Sequence, residues 1–155
     1  MAQRILFVCL GNICRSPAAE AATRTLAERR GMKLTLDSAG TAGWHTGKPP
    51  YGPMQQAAAA SGIDMSDLRA RQFAARDFLN FDLIIGMDHE NIANINALRP
   101  ANNITPVRLF TDFAPESGAD HVPDPYYTRD FAGCLDLIIK ASSGLLDSLC
   151  PADRP

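Results

Sequence analysis

The sequence predicts an α/β fold, in which a four-stranded parallel sheet in the order 2-1-3-4 carries helices on both faces. Apolar runs rich in β-forming residues alternate along the chain with segments of helical periodicity. Continuous apolar runs are typical of strands buried on both faces, as in parallel sheets. The 155 residues suffice for one substantial core and show no internal repeat or linker, so we expect a single domain over residues 1–155.

Four apolar runs are the predicted strands. They are residues 5–8, 34–36, 83–87 and 107–110. Strands joined by right-handed crossovers end at the same edge of a parallel sheet, and ligands collect beyond that edge. We therefore expect Cys9, Ser38 and Asp88, which follow the first three strands, to converge.

Helical segments fill most of the intervals between these strands. The first is predicted over residues 17–30, with Pro17 in its first turn and Gly31 at its end. The other predicted helical segments are 55–60, 88–99 and a final helix from about 128 to 150, and residues 77–81 lead into the third strand. Residues 43–53 and 122–127 are predicted loops because of their prolines, and residues 151–155 are predicted to fray.

The composition excludes several classes of protein. With 46% hydrophobic and 21% charged residues, the chain resembles an ordinary soluble globular protein. A net charge of −2 without long runs of either sign predicts no binding to nucleic acid. The first apolar run is too short for a signal peptide or a membrane span. Four scattered cysteines and three scattered histidines indicate neither a disulfide framework nor a metal site, and we expect a reducing, cytoplasmic compartment.

The stretch from Cys9 to Ser16 carries the strongest chemical signal. A cysteine ends a strand and, after five loop residues, Arg15 begins a helix. Such a loop can turn its backbone N–H groups towards an anion, while the helix adds free N–H groups and the positive end of its dipole. Arg15 supplies a planar bidentate donor, and the same field favours the thiolate of Cys9. We predict a nucleophilic thiolate in a phosphate cradle; the alternative is an inert buried cysteine.

Five segments together resemble the low-molecular-weight protein tyrosine phosphatases over nearly the whole chain. In order they are CLGNICRSP at 9–17, DSAG at 37–40, ARQ at 70–72, Asp82 with Met87 and Asp88, and DPYY at 124–127. The resemblance implies a flavodoxin-like fold and the hydrolysis of phosphotyrosine in proteins, or of small aryl phosphates, through a phosphocysteine. It implies no metal or other cofactor, inhibition by inorganic phosphate as product, and a monomer or weak dimer.

The family pattern also implies three catalytic roles. Cys9 would be the nucleophile, Arg15 the phosphate clamp, and Asp124 the general acid for the departing phenol and then the base for water. Phosphoryl transfer needs little beyond a placed nucleophile, neutralised equatorial oxygens and a proton for the leaving oxygen.

Further roles follow from the same resemblance. The expected phosphate-binding loop is Leu10, Gly11, Asn12, Ile13, Cys14 and Ser16. Ser16 would stabilise the thiolate, cap the helix, or both. Asn12, Ser38 and Asp88 would support the loop from behind. The expected walls of the substrate pocket are Ile13, Trp44, Tyr126 and Tyr127. Cys14 would form a reversible disulfide with Cys9 under peroxide.

One position departs from the family pattern. Many members have a histidine that bonds the loop asparagine where this chain has Leu68, so the support of Asn12 should come from Ser38, Asp88 or water. His45, His89 and His121 do not match that position and are predicted to lie on the surface.

Three alternative functions share this loop. Protein-arginine phosphatases tend to have a small polar residue at the position of Ile13, and a branched apolar side chain there favours a flat phenyl ring. Thiol-dependent arsenate reductases pass a disulfide to further cysteines; residues 62–100 contain none, and Cys134 and Cys150 belong to the last helix and its end. A non-catalytic phosphate-binding module would dispense with Asp124.

Overall fold

The computed structural model describes residues 3–149, and the predicted frayed tail at 151–155 lies outside them, as does Cys150. The four strands are β1 (Gln3–Cys9), β2 (Leu34–Gly40), β3 (Leu83–Gly86) and β4 (Val107–Leu109). All three pairings are parallel, and the strand order is β2-β1-β3-β4. The predicted sheet is therefore confirmed.

Six helices and two 3-10 turns complete this part of the chain. The helices are α1 (Arg15–Arg29), α2 (Gly52–Ala60), α3 (Asp77–Asn80), α4 (His89–Asn96), α5 (Pro125–Thr128) and α6 (Phe131–Leu149), and the 3-10 turns are Phe110–Phe113 and Pro115–Ser117. Within residues 3–149, no helix has the length and apolar character needed to cross a membrane.

Alternate side chains of β1 supply the cores on the two faces of the sheet. Ile5 and Phe7 pack with α1, α2 and α6 on one face. Leu6 and Val8 pack with side chains of α3 and α4 on the other. All four are fully buried, and each such side chain contributes about 1.5–3 kcal/mol of hydrophobic stabilisation. Because helices cover both faces of the sheet, the edge at which a ligand can bind must be the one where the strands end.

The prediction of a loop over residues 122–127 is wrong for the second half of that range. Pro125 is the first residue of α5, where its missing N–H needs no partner and its fixed φ suits a helix. Asp124 caps this helix by accepting a hydrogen bond from the N–H of Tyr126 at 3.0 Å. The final helix begins at Phe131 rather than near Thr128, since Arg129 has a left-handed backbone (φ 63°) that ends α5.

Candidate active site

The sulfur of Cys9 lies where β1 ends and the loop turns back over it. The backbone N–H groups of Asn12 and Ser16 donate to this sulfur at 3.3 and 3.4 Å. The hydroxyl of Ser16 lies 3.0 Å from the same atom. Donors that converge on one sulfur in this way would stabilise a negative charge on it. Ser16 does not cap α1, which begins one residue earlier at Arg15.

Asn12 holds the loop in its shape. Its backbone is left-handed, with φ of 58°, a conformation that residues other than glycine rarely adopt. Its side-chain amide donates to the hydroxyls of Ser16 at 2.7 Å and Ser38 at 3.0 Å. Its carbonyl oxygen accepts from the N–H of Arg71 at 2.9 Å. Ser38 therefore supports Asn12. Leu68, which stands where many family members have a histidine, packs against the hydrophobic core instead.

Arg71 extends this support to the edge of the sheet. Its guanidinium bonds Asp37 of β2 at 3.0 Å and both carboxylate oxygens of Asp77 at 3.1 Å. Asp77 is buried, so these bonds fix the segment whose N–H holds Asn12. The ARQ segment indicated Arg71 as part of a motif, but not its link to the phosphate loop.

Sequence reasoning missed Glu20, a buried carboxyl group behind the loop. Glu20 is only 4% exposed, accepts a hydrogen bond from the hydroxyl of Ser38 at 2.8 Å and pairs with Arg24 at 2.6 Å. Burial raises its pKa to about 7, and this effect outweighs the opposite effects of Ser38 and Arg24. The position of Glu20 four residues after Ser16 is a signal that could have found it, because the two share a helix face.

Replacement of Glu20 by Gln should flatten the pH dependence of stability. Its pKa is 4.5 before folding and about 7 in the folded protein, so the folded state binds the proton more tightly. This stabilisation, about 3 kcal/mol, is complete below pH 4.5 and is lost as the pH rises through 7. Urea unfolding at pH 5 and pH 8 measures it, with Glu28→Gln on the exposed side of α1 as control. Equal pH dependence in wild type and Glu20→Gln would contradict it.

Arg15 is buried and is held by two loops. Its Nη1 donates to Asp88 at 2.7 Å and to the carbonyl of Val122 at 2.9 Å, and its Nη2 lies 3.4 Å from a carboxylate oxygen of Asp124. Its Nε–H makes no hydrogen bond to any residue within 3–149. The Nε–Nη2 edge can therefore take two oxygens of a tetrahedral anion. Asp88 thus fixes Arg15, and within residues 3–149 no hydrogen bond joins it to Asn12.

A cavity of about 210 Å³ opens above Cys9. Its lining comprises Asp124, most of the segment from Cys9 to Arg15 with the exception of Asn12, and four larger side chains: Trp44, His45, Tyr126 and Tyr127. Trp44 is 69% exposed and Tyr127 is 70% exposed, so these rings are not part of the core. Ile13 also lines this cavity, and it is buried. Apolar and aromatic walls around an anion site suit a planar group attached to a phosphate.

His45 was predicted to lie on the surface, and the structure places it, partly exposed, in the wall of the cavity. It is half-buried, lines the cavity, and packs so closely on Gly11 that a Cβ there would lie 3.1 Å from its ring. Its place directly after Trp44 was the available signal. His89 and His121 are exposed.

The thiols of Cys14 and Cys134 are free and buried. Burial raises the pKa of the Cys14 thiol and raises that of Cys134 to about 12. Both are therefore neutral at physiological pH, and the reversible disulfide of Cys14 stays a prediction. Residues 3–149 contain no group of three or more His, Cys, Asp or Glu side chains that could hold a metal ion.

Comparisons with known proteins agree with this geometry. The family described as "Low molecular weight phosphotyrosine protein phosphatase" matches residues 4–153. The chain is 42% identical over 147 residues to the low molecular weight protein-tyrosine-phosphatase YfkJ of Bacillus subtilis, covering 94% of each chain. The crystal structure of YfkJ superposes with a TM-score of 0.91 at 41% identity, over 96% of this chain and 95% of that one.

Two further similarities bear on the substrate. A low molecular weight phosphotyrosine protein phosphatase of Schizosaccharomyces pombe is 39% identical over 151 residues, covering 94% of this chain and 96% of the relative. The structure of a drosophila arginine phosphatase superposes with a TM-score of 0.90 at 28% identity, over 96% of this chain and 99% of that one. Proteins named as tyrosine phosphatases and a protein named as an arginine phosphatase thus share this fold.

Proposed function

Because this chain belongs to the low molecular weight phosphotyrosine protein phosphatase family, we propose that it hydrolyses phosphotyrosine in proteins, and small aryl phosphates, through a phosphocysteine on Cys9. One observation carries the proposal: a sulfur with converging N–H donors, a buried guanidinium and a partly exposed carboxylate all border one cavity. These are the groups that phosphoryl transfer to a thiolate requires.

In the first step the thiolate of Cys9 attacks phosphorus, the S–P bond forms and the bond from phosphorus to the phenolic oxygen breaks. Asp124 gives its proton to that oxygen, and phenol leaves. The loop N–H groups and Arg15 bear the charge on the equatorial oxygens. Among the described residues that line the cavity, Arg15 is the one arginine or lysine.

In the second step water breaks the phosphocysteine. The carboxylate of Asp124 takes a proton from the water, whose oxygen attacks phosphorus as the S–P bond breaks. The hydroxyl of Ser16, 3.0 Å from the sulfur, stabilises the departing thiolate of Cys9. Inorganic phosphate remains in the cradle and should inhibit the enzyme as a product.

The pocket walls support phosphotyrosine as substrate. Ile13 and the rings of Trp44, Tyr126 and Tyr127 form an apolar slot above the cradle. A flat phenyl ring fills such a slot, whereas the charged guanidinium of phosphoarginine would lose its water there without a polar partner from Ile13. The similarity to an arginine phosphatase makes phosphoarginine the alternative to test.

Peptides that carry phosphotyrosine, phosphoserine or phosphoarginine in one sequence test this choice. We expect kcat/KM to be highest for phosphotyrosine by at least about 100-fold, because one buried polar group without a partner costs roughly 1–3 kcal/mol and the ring contacts are lost as well. The Ile13→Thr variant should have a smaller difference in kcat/KM between the phosphotyrosine and phosphoarginine peptides. A wild type that prefers phosphoarginine would refute the substrate while leaving the thiolate mechanism intact.

Further properties belong to the same proposal. We propose one phosphatase domain over residues 1–155, a cytoplasmic location, and a monomer or weak dimer. Cys14, which lies in the loop beside the proposed nucleophile, is the proposed partner of Cys9 in a reversible disulfide.

A further inference from the structure

Tyr51 and Arg129 connect the segment that carries Asp124 to the phosphate loop, although neither lines the cavity above Cys9. We propose that these two are positioning residues that hold Asp124 in proton-transfer distance of the leaving group. This inference rests on the proposed function, since it requires Asp124 to be the general acid.

Tyr51 is fixed to the phosphate loop by its backbone. Its N–H donates to the carbonyl of Ile13 at 2.9 Å, just before the first residue of α2. Its ring packs against the rings of Tyr126, at 5.3 Å between centroids, and Phe131, at 5.9 Å. A ring anchored to the phosphate loop therefore contacts both α5 and the start of α6.

Arg129 completes the connection from the other side. Its guanidinium carbon lies 5.4 Å from the ring centroid of Tyr51 and 5.0 Å from that of Phe131. Its Nη1 donates to the hydroxyl of Tyr51 at 3.2 Å and to the carbonyl of Tyr126 at 3.3 Å. Cation–π contacts and two hydrogen bonds thus hold the side chain of Arg129 between Tyr51 on one side and α5 and the start of α6 on the other.

The backbone of Arg129 shows that these contacts act against a local preference. It is left-handed, with φ of 63° and ψ of 13°, although glycine is the residue that adopts this conformation without strain. The N–H of Arg129 donates to the carbonyl of Pro125 at 2.8 Å and so closes α5. The side-chain contacts of Arg129 help to hold this turn in place.

The segment needs such an anchor because much of it faces solvent. Tyr126, Tyr127, Thr128, Arg129 and Asp130 are all exposed. Upstream, the carbonyl of Val122 is held by Arg15 at 2.9 Å. Downstream of Asp124, the contacts between Tyr51 and Arg129 anchor the chain in the same way. Asp124 therefore lies between two anchored positions, Val122 and Arg129. General acid catalysis depends steeply on distance, which makes this hold relevant to the reaction.

The Arg129→Gly variant tests the inference because glycine keeps the left-handed turn and removes only the side-chain contacts. We expect kcat/KM to fall about fivefold for aryl phosphates with poor leaving groups and to change little for those with good ones. Tyr51→Phe, which loses the hydroxyl and keeps the ring, should show a smaller loss of the same kind. Asn102→Gly, at another exposed left-handed residue (φ 66°), should behave as wild type.

A double variant separates positioning from a general loss of structure. With Asp124→Ala already present, Arg129→Gly should cause no further loss for poor leaving groups, because the acid that it positions is gone. An equal loss for all leaving groups, an additive loss in the double variant, or no loss in Arg129→Gly would each overturn the inference. If Asp124→Ala itself shows no dependence on the leaving group, the proposed function fails instead.

Discussion

The Cys9→Ser variant should lose essentially all hydrolysis of aryl phosphates and still bind inorganic phosphate. The sulfur is the atom on which the loop donors converge, and a serine hydroxyl is not ionised at neutral pH, so the covalent step has no nucleophile. We expect turnover to fall by at least about 10⁴-fold, the scale on which removal of a nucleophile acts in other enzymes.

Binding and turnover must be measured on the same preparation of Cys9→Ser. Calorimetric titration with inorganic phosphate should give an affinity within about tenfold of wild type, because Arg15 and the backbone donors remain. Cys134→Ala removes another buried thiol and serves as the control that retains activity. Turnover of Cys9→Ser near the wild-type rate would refute the phosphocysteine.

The Asp124→Ala variant should lose activity in proportion to how poor the leaving group is. Asp124 borders the cavity with one carboxylate oxygen 3.4 Å from Arg15, while its other oxygen caps α5. A general acid contributes about 10²–10⁴-fold when the leaving oxygen needs a proton, and little when the phenolate is already stable. We expect losses in that range for alkyl-substituted phenyl phosphates and much smaller ones for nitrophenyl phosphate.

A series of substituted phenyl phosphates makes this measurement. The slope of log kcat/KM against the pKa of the leaving phenol should be steeper in Asp124→Ala than in wild type. Asp120→Ala alters an exposed carboxylate four residues earlier and should leave the slope unchanged. Parallel slopes for wild type and Asp124→Ala would assign the proton to another group.

The four strands could be predicted from the sequence because fully buried strands leave unbroken apolar runs, and the order of the strands is that of the flavodoxin-like fold that the family resemblance implied. Elements whose stability comes from a single local feature are harder to predict from sequence. The prolines at 123 and 125 predict an irregular loop, yet Pro125 begins α5 since a helix needs no N–H at that position. The end of α5 depends on the backbone of Arg129, a residue type that does not signal a left-handed turn.

The chemistry proposed for Cys9 could be predicted from sequence, because a thiol at a strand end, a short loop and an arginine that begins a helix follow one another. That spacing is local, so geometry over eight residues is enough to specify a cradle. Two connections from the loop to more distant parts of the chain are visible only in the tertiary structure. Glu20 meets the loop through Ser38, and Arg129 meets it through Tyr51, across 18 and 78 residues of chain. The spacing of Glu20 and Ser16 indicates a shared helix face, but which distant residue each of these side chains contacts depends on how whole elements pack.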